Sequence, residues 1–188
     1  MTSREKSKLK SSIGIQNTAL ELFSKYGYHG TSIRMIAKEA GVSLGLMYNY
    51  YDGKEGLIQS IFDTNIKLFS SEFSELSTNG QLDFDTLIEG VFNTIESHKP
   101  FWRLFYSVKM EEPLNNLLSV DLLKIQGAFV SEIKKVLGKY KLSDLDVESY
   151  LLYSVIDGVI HNYLASSSFP KEEILKLLIF KYSKLKVN

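Results

Sequence analysis

Small residues at fixed spacing within residues 31–51 constrain the fold of this chain more than any other feature. Ala37 falls where a second helix would cross the first, and Gly41 follows four residues later, where a tight turn needs a positive φ angle. Apolar residues at positions that bridge such a helix pair are Ile36, Ala40, Val42 and Met47. The spacing predicts a helix-turn-helix, with a generic helical hairpin as the alternative.

Charge is distributed unevenly along the chain, although the formal net charge is zero. Residues 1–54 contain eight Lys or Arg and four acidic residues, a net charge of +4, which leaves −4 for the remainder. A basic N-terminal part ahead of an acidic remainder indicates that one end of the chain meets a polyanion. A chance fluctuation of a few charges is the alternative.

Composition excludes several classes of protein. The chain has no cysteine, so it has neither disulfides nor thiolate-based zinc or redox sites, and we expect no metal and no cofactor. Its N-terminus is polar and leads into no apolar run, and no stretch approaches 18 uninterrupted apolar residues. We therefore expect a cytoplasmic protein without a membrane partner.

Helical periodicity dominates the sequence, and no alternating apolar pattern indicates a strand. Glycine, serine and proline breaks predict an all-α fold of about nine helices after a polar basic arm over residues 1–10, which is expected to be disordered. The second helix is expected to be capped by Thr31, the third by Ser43 and the eighth by a capping box of Ser143 and Asp146, and the sixth to open at Pro100. The predicted bounds of the first, third, fourth, fifth, seventh, eighth and ninth helices are about residues 11–26, 44–50, 54–76, 83–96, 118–137, 144–165 and 171–186, with a loop over residues 77–80.

The N-terminal third of the chain resembles the N-terminal domain of the TetR family of regulators over about 50 residues. The residues that carry the resemblance are, in order, Ile15, Ala19, Leu20, Leu22, Phe23, Gly27, Tyr28, Gly30, Thr31, Ser32, Ile33, Arg34, Ile36, Ala37, Ala40, Gly41, Val42, Ser43, Gly45, Tyr48, Tyr50, Tyr51, Lys54, Glu55, Leu57 and Ile58. The resemblance implies a three-helix DNA-binding domain with a basic arm over residues 1–53. It also implies a helical ligand-binding and dimerisation domain over residues 54–188.

The implied function is that of a DNA-binding transcriptional regulator, a repressor that a small-molecule ligand releases from a palindromic operator. A ligand-independent DNA-binding regulator without an effector pocket is the alternative. The resemblance places Ser32 and Arg34 near phosphates or a base edge, and Tyr48 and Lys54 on backbone phosphate, with core packing as the alternative for Tyr48. Residues expected on or beside the major groove are Ser43, Leu44, Gly45, Leu46, Tyr48, Asn49 and Tyr50.

Leu44 and Leu46 are large and apolar, whereas members of the family often carry Lys, Gln, Thr or Ala at these positions. They cannot hydrogen-bond to bases, so they would contact thymine methyl groups. Asn49, which can bind adenine through two hydrogen bonds, and Tyr50 would then be the main polar readers. Tyr51 is expected to pack the motif onto the first and fourth helices.

The eighth predicted helix is apolar nearly all round, which indicates burial on more than one side. One side would face the core and the other a second subunit, with the ninth helix as the second element of the interface. The resemblance implies the same arrangement, in which the eighth and ninth helices of two subunits form a four-helix bundle. A symmetric dimer would fit a palindromic operator.

A ligand site is predicted from aromatic residues on the fifth to seventh helices and polar residues on the eighth. Its members are Phe92, Trp102, Phe105, Tyr106, Phe129, Tyr153, Asp157 and His161. Plain core packing is the alternative for the aromatic residues. Tyr153, Asp157 and His161 recur at four-residue intervals on one helix face, so they could equally form a hydrogen-bonded network at the dimer interface.

An enzyme is not expected. The three histidines lie in different segments, and the sequence contains no His-Glu-x-x-His, glycine-rich phosphate loop or nucleophile elbow. Asp157 and His161 are the sole acid–base candidates and lack an evident nucleophile. A protein-interaction module with a vestigial helix-turn-helix is opposed by the retention of Arg34, Tyr48 and Lys54.

Overall fold

The computed structural model describes residues 3–78 and 83–184, and within these ranges the chain forms nine α-helices and no strand. The helices are α1 (Ser3–Gly30), α2 (Ile33–Glu39), α3 (Leu44–Tyr50), α4 (Gly53–Thr78), α5 (Phe84–Ser97), α6 (Lys99–Lys109), α7 (Glu112–Leu137), α8 (Leu145–Ala165) and α9 (Lys171–Ser183). The predicted all-α fold is confirmed. None of the helices in the described residues is long and apolar enough to cross a membrane.

The first of two compact units contains the chain up to Asn65 together with Pro100–Leu118. Its interior is formed by one face of each of α1 to α4 and by the aromatic residues of α6. The buried side chains of α1 to α4 in this unit include Ile15, Ala19, Phe23, Ile36, Ala37, Met47, Leu57, Ile58 and Ile61. The ring centroids of Phe62 on α4 and Phe101 on α6 lie 5.2 Å apart. The apolar side chains of Ile15, Ala19 and Phe23 on α1 therefore face the core.

The second compact unit contains Ile66–Lys99 and the chain from Ser119 onward. Within it α9 packs against α5 and α8. The rings of Phe84 on α5 and Tyr182 on α9 stack with their centroids 4.6 Å apart, and the Tyr182 hydroxyl donates to Glu148 Oε1 on α8 at 2.6 Å. One tyrosine thus joins three helices of this unit.

An ion cluster around Glu96 holds the C-terminal end of α5 to α8 and α9. Lys99 Nζ lies 2.7 Å from Glu96 Oε2, Lys171 Nζ lies 3.1 Å from Glu96 Oε1, and the Tyr163 hydroxyl donates to the same carboxylate. The hydrogen bonds from Lys99 and then Tyr163 lower the pKa of Glu96 to about 2. The carboxylate therefore favours its ionised form.

Helix α8 buries one side and exposes the other within the single chain. Leu152, Ile156 and Ile160 are buried, whereas Leu151 is 55% exposed and Val155 40% exposed. The sequence predicts that α8 is buried on more than one side, whereas the single chain buries only one side of this helix. Burial of the exposed apolar side of α8 would require a second subunit.

Helix α1 begins well before the residue that the sequence predicts. The predicted basic arm over residues 1–10 is wrong from Ser3 onward, because α1 starts there; residues 1 and 2 lie outside the described residues. The segment contains lysine, arginine, glutamate and leucine, which favour helix, and no glycine or proline before Gly14. Gly27, with φ 74°, breaks the regular helix near its predicted end, and one more turn reaches Gly30.

Two predicted helix caps are wrong by one residue. Ser32, and not Thr31, caps α2, because its Oγ accepts a hydrogen bond from Met35 N at 3.2 Å. The buried Thr31 hydroxyl instead donates to carbonyls at the end of α1. The predicted capping box of Ser143 and Asp146 is not formed, and Asp144 caps α8 instead. Its Oδ1 accepts hydrogen bonds from the backbone amides of residues 146 and 147.

Helix α7 begins at Glu112, although the sequence predicts a break there and a start near residue 118. Pro113 is compatible with a helix because it occupies the first turn, where no amide hydrogen is needed. Helix α4 extends to Thr78, into the predicted loop, whose residues Asn79 and Gly80 lie outside the described residues. Helix α9 ends at Ser183, and the end predicted near residue 186 also lies outside them. The predicted domain boundary after residue 53 stays a prediction.

Candidate DNA-binding site

The turn between α2 and α3 has the geometry that its sequence predicts. Gly41 has a φ of 66°, in the left-handed region that glycine enters without steric cost. Ala40 N donates to Ile36 O at 2.8 Å, and Val42 N donates to Ala37 O at 2.9 Å, so the backbone leaves α2 through a closed, hydrogen-bonded turn. The helix-turn-helix is confirmed over the predicted residues.

Helix α3 is held by its N-terminal cap and a single fully buried side chain. Ser43 Oγ accepts a hydrogen bond from Leu46 N at 3.1 Å, which confirms the predicted cap. Met47 is buried, whereas Tyr48 is 58% exposed and Asn49 is also exposed. The exposure of Tyr48 removes core packing as an explanation for this residue.

The other predicted DNA-facing residues of α3 are small or half-buried. Leu44, Leu46 and Tyr50 are half-buried, and Gly45 is exposed. A Cβ atom added to Gly45 would meet nothing within 4 Å, and no positive φ is recorded there. Packing inside the chain therefore does not require a glycine at this position.

Helix α2 exposes the two polar side chains that the sequence assigns to phosphate contact. Ser32 and Arg34 both lie on the surface at the start of the helix. The Ser32 oxygen accepts the capping bond from Met35 N, which leaves its hydroxyl hydrogen available to donate elsewhere. The same is true of Ser43 at the start of α3.

Helix α1 supports the helix-turn-helix through side-chain hydrogen bonds. The buried Tyr51 hydroxyl lies 2.7 Å from Ser12 Oγ and donates to Ser12 O at 3.1 Å. The predicted packing of Tyr51 onto the first helix is therefore confirmed. Gln16 Nε2 donates to Ser60 Oγ on α4 at 2.7 Å and so fixes α1 to a second helix.

The Lys54 ammonium binds the backbone that connects α1 and α2. Lys54 Nζ donates to Tyr28 O at 2.8 Å and to Thr31 O at 3.1 Å, and lies 4.0 Å from the centroid of the Tyr28 ring. A lysine ammonium has three N–H donors, so these bonds leave one for a phosphate oxygen. The phosphate contact predicted for Lys54 stays a prediction, and sequence reasoning missed the structural contacts.

The last turn of α1 also contacts two carboxylates, and the sequence analysis predicts neither contact. The Tyr28 hydroxyl donates to Glu55 Oε1 at 3.1 Å, and His29 Nε2 contacts Glu111, the residue that precedes α7. Burial, and then the charges of Glu55 and Glu111, raise the pKa of Tyr28. The partners lie 27 and 82 residues away along the chain, so no local pattern indicates these contacts.

The structure distributes the predicted ligand-site residues between the two compact units. Trp102, Phe105 and Tyr106 belong to the first unit and are buried. The ring of Phe105 lies 5.4 Å from that of Trp102 and 5.2 Å from that of Tyr106, centroid to centroid. Phe105 therefore contacts both of the other aromatic residues along this helix.

Five predicted ligand-site residues belong to the second unit: Phe92, Phe129, Tyr153, Asp157 and His161. Phe92 and Phe129 are buried, Tyr153 and Asp157 are half-buried, and His161 is exposed. The Tyr153 hydroxyl lies 3.5 Å from Asp157 Oδ1, and burial followed by the Asp157 charge raises the pKa of Tyr153. The structure thus joins Tyr153 to Asp157, while His161 differs from both in its exposure.

Comparison with known proteins agrees with this geometry. Residues 15–61 match the family model described as bacterial regulatory proteins, tetR family. The chain is 25% identical over 149 residues to the HTH-type transcriptional regulator BetI of Vibrio campbellii. The aligned region covers 74% of this chain and 73% of the relative.

Two solved structures are similar in fold. One is a transcriptional regulator from Saccharomonospora viridis in complex with choline, with a TM-score of 0.75 and 20% identity, covering 95% of this chain and 98% of that one. The other is the transcriptional regulator FadR from Bacillus subtilis in complex with stearoyl-CoA, with a TM-score of 0.72 and 18% identity, covering 88% of this chain and 96% of that one.

The capped, exposed α3, the glycine turn before it and the known relatives together define a DNA-binding transcriptional regulator with a helix-turn-helix. Residues 15–61 form a DNA-binding domain of the TetR type, as the sequence indicates, and the relatives that match about three quarters of the chain are transcriptional regulators. Its relatives are regulators and not catalysts, which confirms the expectation that it is not an enzyme.

Proposed function

We propose that the chain binds a palindromic operator as a homodimer, represses transcription there, and leaves the operator when a small molecule binds. The exposed polar side of α3 supports this proposal most directly. Met47 holds the helix in the core while Tyr48 and Asn49 point their side chains into solvent, and the helix ends are tied by Ser43 and Tyr51. A regulator that acts on bacterial operators works in the cytoplasm.

DNA contact divides into phosphate anchoring and base reading. The hydroxyl hydrogens of Ser32 and Ser43, the exposed Arg34 and Tyr48, and the third N–H of Lys54 would bind phosphates. Leu44, Gly45 and Leu46 would bring the helix close to the bases and touch thymine methyl groups, while Asn49 and Tyr50 would supply the polar readout.

Dimerisation is proposed for the apolar surface of α8 and α9. Leu151 and Val155 on α8 and Leu177 and Phe180 on α9 are large apolar side chains that solvent reaches in the single chain. Apolar surface of this kind marks interaction sites on soluble proteins. A two-fold axis through these helices would give the regulator the symmetry of a palindromic operator.

A small-molecule effector is supported by the choline and stearoyl-CoA that two of the similar structures contain. One crevice beside a predicted ligand-site residue is too small for either of these molecules. The crevice beside Phe129, between Ile66 and Phe69 of α4 and Lys124 and Ile125 of α7, has a volume of about 20 Å³, which is room for about one water molecule. The Tyr153–Asp157 contact is compatible both with orienting a ligand and with a network at the dimer interface.

Base reading by Asn49 provides the test of the proposed function. An operator is first selected from random duplexes with the wild-type protein, and Kd values are then measured by fluorescence anisotropy for this duplex and a scrambled one. Asn49→Ala should weaken operator binding about tenfold or more, since a bidentate base contact contributes about 1–3 kcal/mol. Binding to the scrambled duplex should change less.

The exposed Asn17 on α1 supplies a matched control, because Asn17→Ala removes the same side chain away from α3. An equal loss on both duplexes would refute base reading by Asn49. The effector is tested by thermal shift with choline and with stearoyl-CoA. A rise in Tm that accompanies release of the operator supports the ligand-responsive repressor, whereas no shift with either compound favours the alternative.

A further inference from the structure

The first two turns of α1 place a lysine on the face that packs against the helix-turn-helix. Lys8 lies four residues before Ser12 and seven before Ile15, so the three residues share one face of the helix. Ile15 is in the core, and Ser12 binds the Tyr51 hydroxyl. Lys8 therefore stands on the side of α1 that leads towards the end of α3.

The position of Lys8 relative to α3, the helix expected to enter the major groove, agrees with this placement. Lys8 Nζ lies 5.9 Å from the centroid of the Tyr50 ring, at the C-terminal end of α3. Tyr50 is one of the two residues expected to read bases, and Lys8 itself is exposed. The cation of Lys8 thus lies beside the residue with which the DNA-facing surface of α3 ends.

The chemistry of this position favours an anion. A cation above an aromatic ring is held by the negative face of the ring, and this contact uses none of the three N–H donors of the ammonium. Backbone phosphates flank the bases that a recognition helix reads, and lysine is one of the residues that bind them. Tyr50 would direct the Lys8 ammonium without occupying its donors.

We propose that Lys8 binds a DNA backbone phosphate next to the bases read by α3, and so extends the interface from the helix-turn-helix onto the start of α1. The proposal rests on operator binding through α3. It assigns a phosphate contact to a segment that the sequence alone predicts to be an arm without fixed structure.

Lys10 supplies a control on the same helix turn. It lies two residues after Lys8, about 200° around the helix, and therefore points away from the face that carries Ser12 and Ile15. Both lysines are exposed, so neither substitution should change folding. A general effect of lost positive charge would appear equally in Lys8→Gln and Lys10→Gln.

The test measures operator affinity of the full chain as a function of salt concentration. Each phosphate contact contributes about 0.9 to the slope of log K against log salt, so Lys8→Gln should reduce the steepness by about that amount. The same slope difference corresponds to about an eightfold loss of affinity at 0.1 M salt relative to 1 M. Lys10→Gln should keep the wild-type slope, and Lys8→Arg should restore it.

The possible outcomes separate the roles of Lys8. An unchanged slope and affinity in Lys8→Gln overturns the proposal. Lost affinity with an unchanged slope and a lower Tm also overturns it, because it shows that Lys8 acts only by holding Tyr50 in place. If the wild-type protein selects no duplex at all, the operator-binding function fails, and this result is distinguishable from both.

Discussion

Helices α3 and α8 both bury apolar side chains on one side, but the side chains that they expose differ in polarity. Helix α3 buries Met47 and presents Tyr48 and Asn49, whereas α8 buries Leu152 and presents Leu151 and Val155. Polar groups that stay hydrated suit DNA, whose interfaces are polar and wet. Apolar groups that gain by losing water suit another protein surface. The exposed side of each helix, and not its buried side, indicates the class of partner.

The two helices are also stabilised differently. Helix α3 has seven residues and depends on its cap and on the turn that precedes it, since a helix this short is not stable alone. Helix α8 has 21 residues and is fixed by packing along its length and by Tyr182 of α9. Substitutions on the exposed sides should therefore affect partner binding without unfolding either helix.

A charge on the exposed side of α8 should have the largest effect. Leu151→Arg would place a cation in the proposed interface of each subunit, where an unpaired buried charge is strongly destabilising. We expect a monomer in analytical ultracentrifugation. Operator affinity should fall more than about 100-fold, because an uncompensated buried charge costs about 3–5 kcal/mol.

Thr86 on α5 provides the control for this substitution. It is exposed, so Thr86→Arg adds the same side chain outside the proposed interface and should leave a dimer. Circular dichroism should show that both variants are helical. If Leu151→Arg remains a dimer, α8 is not the interface and the comparison with α3 fails on that side.

A methyl group added to the exposed side of α3 should have a smaller effect, with opposite signs for folding and binding. Gly45→Ala should raise the free energy of unfolding by about 0.5–1 kcal/mol, because alanine favours helix over glycine. It should weaken operator binding about tenfold, since a methyl group in a packed contact costs about 1–3 kcal/mol.

Gly127 on α7 is a matched control, because a Cβ atom added there also meets nothing within 4 Å. Gly127→Ala should stabilise the protein to a similar degree and leave operator affinity unchanged. Chemical denaturation and fluorescence anisotropy measure the two quantities. Unchanged operator binding by Gly45→Ala would show that α3 does not approach DNA closely at this residue.

Removal of the Glu96 carboxylate should have the smallest effect. Its pKa is lowered to about 2, so its stabilisation is present above the ordinary carboxyl pKa and is lost as the pH falls towards 2. The side chain is 38% exposed, and exposed ion pairs contribute little, so Glu96→Gln should lower Tm by at most about 4 °C at pH 7.

The difference in Tm between wild type and Glu96→Gln should shrink as the pH is lowered from 5 to 2. Glu89→Gln, at an exposed position of the same helix, should show no such pH dependence. A difference that stays constant over this range would mean that the cluster with Lys99 and Lys171 does not depend on the charge of Glu96.

The helix-turn-helix was predictable because its requirements are local. Gly41 supplies a backbone angle, and Ser43 supplies an acceptor for an amide three residues ahead; both follow from residue type and spacing alone. The cap of α2 was placed one residue early because Thr31 and Ser32 both suit the role. Only the carbonyls of Leu22 and Gly27, which accept from the Thr31 hydroxyl, distinguish them.

The start of α1 and the ligand site were less predictable because they depend on distant partners. Residues 3–10 are polar except for Leu9, and the helix that contains them is supported where Ser12 meets Tyr51, 39 residues later. The aromatic residues of α6 have the same spacing whether they fill a core or line a cavity. Burial of Trp102 and Phe105 is confirmed, but sequence spacing does not report the volume around them.

Two of the hydrogen bonds that join α1 to later parts of the chain have a consequence for the order of folding. Ser12 to Tyr51 and Gln16 to Ser60 close loops of 39 and 44 residues, whereas the turn at Gly41 closes within a few residues. Contacts between distant residues form later, because loop closure costs entropy. On a growing chain, α2 and α3 can therefore pair first, and both of these bonds of α1 are complete only after residue 60 has left the ribosome.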